Sequence, residues 1–93
     1  MVIERFRNGD PQPVYARFAE CGRMAPAGLE YVSSWVSDDL TTCYQVMSTS
    51  DVALLEEWMQ NWRDLVDFEV HPVITSPQAA ERVQAFPNTK PAN

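Results

Sequence analysis

Four stretches of the sequence alternate apolar and polar residues, and two stretches with helical spacing lie between them. Alternation is typical of a strand, because successive side chains point to opposite faces of a sheet. The alternating stretches are MVIERFR (1–7), LEYVSSWVS (29–37), TTCYQVMS (41–48) and VDFEVHPVI (66–74). An order of strand-helix-strand-strand-helix-strand with right-handed crossovers predicts an α+β fold, a ferredoxin-like βαββαβ antiparallel sheet with two helices on one face.

The two intervening helices are marked by capping residues and by apolar residues three or four positions apart. Asp10 followed by Pro11 predicts the start of the first helix, and Gly22 predicts its end. Its apolar stripe is Val14, Phe18 and Cys21. The second helix begins after Ser50 or Asp51. Its apolar stripe, interpreted as a core face, is Leu54, Leu55, Trp58, Met59 and Trp62.

The C-terminal part of the chain predicts one more short helix and then a tail. Ser76-Pro77 marks the helix start, and its apolar residues are Ala80, Val83 and Phe86. Residues 87–93 have the composition of a flexible segment. A chain of 93 residues has room for one hydrophobic core. We therefore expect a single domain over 1–86 and a flexible tail over 87–93.

Charge argues against two classes of partner. The chain has 7 basic and 13 acidic residues, a net charge of −6, and such an excess repels phosphate backbones and anionic lipid surfaces. No apolar run approaches the roughly 18 residues that a membrane span needs. We expect no nucleic acid and no membrane partner. Four arginines lie in the first quarter of the chain, a pattern that usually marks a solvated surface and less often an anion-binding patch: Arg5, Arg7, Arg17 and Arg23.

Cysteine, histidine and glycine usage limits the chemistry further. Cys21 and Cys43 form no CxxC pair, and the chain starts with a strand-like run in place of a signal peptide, which predicts a reduced, cytoplasmic protein. His71 is the single histidine, so ligands for a metal site are missing. The isolated glycines form no phosphate-cradling loop. We expect neither a metal nor a cofactor.

One face of the predicted sheet has no helix to cover it. We expect this open face to carry Phe6, Tyr31, Trp35 and Met47. A face this apolar does not remain in water, and so small a domain buries only roughly 60–65% of the surface of its unfolded chain. The sequence therefore predicts a homodimer in which a second copy covers the open face.

Four segments resemble an uncharacterised bacterial domain-of-unknown-function family: MVIERF, GRM, YVSSW and WRDLVDFEV. The overall layout resembles the dimeric α/β-barrel superfamily, in which two such sheets close face to face. The resemblance covers residues 1 to about 80. It implies the fold and the pairing of two copies. The superfamily includes oxygenases, haem-degrading enzymes and decarboxylases or cyclases, but none of their catalytic sets maps onto this sequence.

Strand register places a candidate site on the face of Val2, Glu4 and Phe6. Inside a barrel, this face would form a largely apolar chamber with a few polar groups, the general description of a small-molecule site. Glu4 would act as a base with a raised pKa and His71 as its proton partner, so these two are the candidate catalytic residues. The candidate ligand-binding residues are Phe6, Tyr31, Trp35, Cys43, Gln45, Met47 and Glu69.

These residues also have a structural interpretation. Glu4 would then pair with an arginine or with the dimer mate, His71 would be an exposed edge-strand residue, and the aromatic side chains would be interface core. Three functions stay open: a barrel that binds or transforms a small apolar or aromatic metabolite, a non-catalytic homodimeric interaction module, and a single-sheet RNA binder. The acidic charge disfavours the last. A chamber of roughly 300 Å³ or more, lined by Glu4 and Gln45, would favour the first.

Overall fold

A computed structural model describes residues 1–85 of the chain. It contains four strands: β1 (Val2–Phe6), β2 (Glu30–Val36), β3 (Thr42–Ser48) and β4 (Val66–Val70). It contains three helices: α1 (Gln12–Cys21), α2 (Val52–Gln60) and α3 (Ser76–Gln84). The expected tail and Phe86 lie outside the described residues. No helix within residues 1–85 is long and apolar enough to cross a membrane.

The strands form one antiparallel sheet in the order β2-β3-β1-β4. This is the predicted α+β, ferredoxin-like arrangement, because the two strands that are joined through a helix are not neighbours in either crossover. β2 and β4 are the edge strands. β1 lies between β3 and β4, so its inner face is at the middle of the sheet.

The local signals for the helices are confirmed in their main features. Asp10 Oδ1 accepts a hydrogen bond from the Gln12 N–H at 3.0 Å, and Asp51 Oδ1 accepts one from the Ala53 N–H at 3.0 Å. Gly22 ends α1 with φ of 71°, a left-handed value that favours glycine.

The core lies between the sheet and the helices α1 and α2. Trp58 of α2 is only 1% exposed and contacts the ring of Phe68 edge to face, with ring centroids 5.8 Å apart. Further core side chains come from every element of the sheet except β2: Val2, Phe6, Cys43 and Val66. Both helices therefore cover the same face of the sheet, the face of Val2, Glu4 and Phe6.

A β-bulge in β2 changes which of its side chains face the helices. Tyr31 is opposite Met47, but after the register shift Ser34 is opposite Gln45 and Val36 opposite Cys43. Because opposed residues share a face, the helix side of β2 carries Tyr31, Ser34 and Val36. Trp35 points to the open face.

The expected composition of the open face is therefore wrong for three of its four residues. Phe6, Tyr31 and Met47 lie on the face that the helices cover, and only Trp35 lies on the open face. Alternation fixes which residues share a face, but it does not say which face the helices choose. Phe18 also differs from expectation: it is 41% exposed, at the margin of the core rather than within it.

The helix α3 contributes nothing to this core. Thr75 and Gln78 form a capping box that starts the helix, as the Ser76-Pro77 signal predicted. No residue of α3 is buried, and the residues leading to it from the end of β4 are exposed as well. The described chain is correspondingly elongated, with extents of 53 × 31 × 17 Å.

We expect Trp58→Ala to lower the free energy of unfolding by about 3–5 kcal/mol, because it leaves a cavity that the sheet and helix cannot fill by collapse. The matched change Val52→Ala on the same helix removes a side chain that is 74% exposed and should have an effect below about 0.5 kcal/mol. Urea unfolding measures both. Equal midpoints for the two variants would contradict the placement of α2.

Candidate functional site

A cavity of about 150 Å³ lies between the sheet and the two covering helices. Its walls are mostly aromatic and aliphatic, with a few polar groups where the sheet forms the floor. The wall residues from the helices and from the turn after α2 are Val14, Tyr15, Phe18, Trp58 and Trp62. The floor and mouth residues are Glu4, Phe6, Arg23, Ser34, Val36, Cys43 and Gln45.

Three polar side chains form a hydrogen-bonded row along the floor. Gln45 Nε2 donates to Glu4 Oε2 at 2.8 Å, and Arg23 Nε donates to Gln45 Oε1 at 3.1 Å. The amide of Gln45 thus uses its donor on one side and its acceptor on the other, so a flipped amide would lose both bonds. Glu4 and Gln45 are the buried polar residues among those described, and this row explains how each is tolerated.

Glu4 is the reactive group of this row. The residue is 9% exposed, and burial raises the pKa of its carboxyl from 4.5 to about 7, with Arg23 and the Gln45 hydrogen bond opposing the shift. Its second oxygen, Oε1, accepts no hydrogen bond within residues 1–85 and is not sealed inside the protein. Glu4 therefore presents a free oxygen to the cavity, and its charge changes near neutral pH.

Arg23 is held rigidly at the cavity mouth. Its backbone carbonyl accepts hydrogen bonds from the indole N–H groups of Trp58 at 2.9 Å and Trp62 at 3.1 Å. Its guanidinium lies over the ring of Tyr31, 3.7 Å from the centroid, and 5.2 Å from that of Phe18. The main chain of Arg23 is thus held by indoles from α2 and the turn after it, and its side chain by Gln45 and by aromatic rings from β2 and α1.

Cys43 lines the cavity as an inert wall. Burial and the neighbouring Glu4 raise the pKa of its thiol to about 11, and Arg23 opposes the shift only in part. A thiol with this pKa stays protonated at neutral pH and is a poor nucleophile. Tyr15 packs edge to face on Phe6 beside it, with centroids 6.4 Å apart.

The predicted site residues divide between the two faces of the sheet. Glu4, Phe6, Cys43 and Gln45 line the cavity, Tyr31 stacks on Arg23, and Met47 lies on the same face without lining it. Three others lie on the opposite face, contrary to expectation: Trp35, Glu69 and His71. The strands that carry these residues run in the expected direction. Glu69 is, however, opposite Ile3, whose side chain points to the open face, so Glu69 points there too.

The pairing of Glu4 with His71 is therefore wrong, because the sheet separates them. Glu69 accepts a hydrogen bond from Arg5 at 2.6 Å, and its other oxygen contacts His71 Nε2. Both partners lower the pKa of Glu69, and the hydrogen bond with His71 has a larger effect than the one with Arg5. His71 thus belongs to an exposed ion-pair cluster. No group of three or more His, Cys, Asp or Glu side chains in the described part of the chain is placed to hold a metal ion.

Sequence reasoning missed the cavity residues that come from helices and loops. Trp58 and Trp62 were interpreted as core, which they are, but their stripe also forms a cavity wall. For Arg23 the signal was only its place in the early cluster of arginines. The contact that positions it, two indole N–H groups on one carbonyl, leaves no pattern in the sequence.

We expect the pKa of Glu4 to make stability depend on pH. The folded pKa of about 7 exceeds the ordinary value of 4.5, so between these values the unfolded chain releases a proton that the folded protein keeps. Stability therefore falls as pH rises through this window, by on the order of 3 kcal/mol in total. Glu4→Gln should remove this fall while keeping the acceptor for Gln45. The free energy of unfolding is measured at several pH values from 4 to 8 for both proteins. If it changes with pH by the same amount in both, the assignment is contradicted.

Comparison with known proteins identifies a family but no activity. No curated protein and no solved structure matches the chain. The model of one family, described as a domain of unknown function (DUF3303), matches residues 1–87. The match includes every described strand and helix and all residues of the cavity. The chain belongs to the DUF3303 family.

Proposed function

We propose that this protein is a homodimeric α/β-barrel protein that binds a small apolar or aromatic metabolite, and that the ligand occupies the cavity between sheet and helices. The observation that carries the proposal is a buried carboxyl with one free oxygen, Glu4 Oε1, facing a cavity with aromatic walls. The location differs from the barrel interior expected from the sequence. The chemistry is the one expected there.

Cavity size limits the ligand. A volume of about 150 Å³ is half of the roughly 300 Å³ at which ordinary ligand pockets begin, so the chamber size that the sequence analysis required to favour a small-molecule barrel is not reached. An apolar cavity of about 150 Å³ can hold one benzene ring. We infer a ligand with a single ring, or an aliphatic molecule of that size, whose flat faces contact the rings of Phe6, Tyr15 and Trp62.

A hydrogen-bond donor on the ligand completes the site. Ionised Glu4 accepts such a bond at Oε1, while Gln45 keeps the carboxyl in place through Oε2. If the ligand is also a substrate, Glu4 is the group that takes its proton, because a base with a pKa near the working pH transfers protons most effectively. Whether or not chemistry follows, the carboxyl selects the orientation of the ring.

We expect phenol, a one-ring probe with an O–H donor, to bind in the cavity and to quench tryptophan fluorescence, since Trp58 and Trp62 form its wall. Val36→Phe fills the cavity and should weaken binding at least tenfold. Val32→Phe is the matched control on the same strand, at an exposed position outside the cavity, and should bind as the wild type does. Equal phenol affinities for the two variants would contradict the location.

The open face supports the homodimer. Its middle row consists of Trp35, Tyr44 and Ile3, directly opposed across β2, β3 and β1, and Trp35 is 60% exposed in the single chain. Arg5, Glu69 and His71 border this row with a polar rim. An apolar centre with a charged rim is the usual anatomy of a protein interface. A second copy would bury it and complete the barrel of the dimeric superfamily.

The same face favours the second candidate function, a non-catalytic homodimeric interaction module. In that case the cavity is only a packing defect, and the open face forms the functional interface. The two candidate functions predict different results for small-molecule binding. An interaction module is not expected to bind phenol at the Glu4 carboxyl. We place either protein in a reducing, cytoplasmic setting, consistent with Cys21 and Cys43 both being free thiols.

We expect light scattering to give twice the monomer mass at micromolar concentration. Trp35→Glu should shift this mass to that of the monomer, because it places a charge at the centre of the apolar row. Val52→Glu adds the same charge at the start of α2, away from the sheet, and should leave the mass unchanged. A monomeric wild type, or a dimer that tolerates Trp35→Glu, would contradict an interface on the open face.

A further inference from the structure

We propose that the cavity selects ligands that carry a carboxylate, which the two terminal nitrogens of Arg23, Nη1 and Nη2, bind at the cavity mouth while the ring lies against the aromatic wall. This proposal rests on the proposed binding function and names its ligand class. Arg23 lines the cavity, and its only side-chain hydrogen bond within residues 1–85 is from Nε to Gln45. Both Nη groups are therefore available to a ligand.

The pairing pattern of the arginines singles out Arg23. Others in the described chain have carboxylate partners, namely Arg5 with Glu69, Arg7 with Asp67, Arg17 with Asp64 and Arg63 with Glu56. Arg82 is exposed on α3, none of whose residues is buried. Arg23 alone is a half-buried guanidinium without a carboxylate within ion-pair distance in residues 1–85. Arg23 interacts with the charge of Glu4 only across Gln45, so its terminal nitrogens can form an ion pair with a ligand anion.

The guanidinium is also fixed in place before any ligand arrives. Tyr31 and Phe18 contact its faces, Gln45 holds Nε, and two indoles hold the carbonyl of the same residue. A guanidinium whose rotamer is already fixed loses little entropy when it binds. Its planar fork then matches the two oxygens of a carboxylate better than a single-point anion.

Glu4 determines how this preference depends on pH. A ligand carboxylate bound to Arg23 offsets the positive charge that otherwise opposes protonation of Glu4, so Glu4 binds a proton as such a ligand binds. Toward a carboxylate ligand Glu4 is therefore a hydrogen-bond donor, whereas toward a neutral ligand such as phenol its ionised form accepts. The other titratable groups around Glu4 are Cys43 on β3 and Tyr15 on α1, and both are neutral below pH 8 because their pKa values are raised. We expect carboxylate affinity to fall as pH rises above 7.

Benzoate and its neutral isostere benzamide test this inference by calorimetry at pH 6. We expect benzoate to bind the wild type about tenfold or more tightly than benzamide. Arg23→Gln should remove this preference while retaining benzamide affinity. Arg63→Gln removes the same charge outside this cavity and should keep the preference.

Above pH 7, benzoate affinity should fall by up to about tenfold per pH unit in the wild type, and Glu4→Gln should abolish that fall.

The outcomes separate this inference from the function on which it rests. If the wild type binds benzamide and phenol but shows no preference for benzoate, the role of Arg23 is wrong and the binding function stands. If no one-ring probe binds, both are wrong. Should Arg23→Gln fail to fold, the benzoate-to-benzamide ratio of the wild type and its pH dependence decide alone. A preference that survives in a folded Arg23→Gln protein also overturns the inference.

Discussion

The buried hydrogen bond from Gln45 to Glu4 is the constraint on which this structure depends. A carboxyl at the middle of the helix-covered face cannot stay there without a partner, because removing it from water without a hydrogen bond costs several kcal/mol. Gln45 supplies that partner from the neighbouring strand at 2.8 Å. The amide in turn needs a donor for its own oxygen, and Arg23 supplies it. This row forms the polar floor and mouth of the cavity, whereas the raised pKa of Glu4 comes from its burial, which Arg23 and Gln45 oppose only in part.

The row connects elements that are far apart in sequence. Arg23 comes from the loop after α1, and its carbonyl binds both indoles from α2 and its end. α1, α2 and the sheet floor therefore meet at one residue. Changes at Trp58 or Trp62 should disturb the cavity mouth as well as the core, since the same indoles serve both. Stability and the proposed ligand binding would therefore be coupled through these shared contacts.

The sequence predicted the order of elements well, because alternation, caps and helical spacing are local properties that survive in the folded chain. It also grouped Glu4, Cys43 and Gln45 correctly on one face. It could not predict which face the helices cover, nor the bulge after Tyr31 that moves Trp35 to the other side. From the sequence, Glu69 and His71 of the fourth strand were assigned to the face of Glu4. In the sheet, Glu4 is opposite Phe68, so Phe68 and not Glu69 shares its face. Register and long-range contacts are set by packing, which one sequence does not display.

The most direct test of the account is the titration of the Glu4 side chain, followed by its carboxyl carbon resonance in NMR and assigned with Glu4→Gln. We expect a midpoint at about 7, well separated from the other glutamates, and an upward shift when benzoate binds. A midpoint near the ordinary value of 4.5 would show that Glu4 is hydrated or charge-paired, and would contradict the buried row and the site built on it.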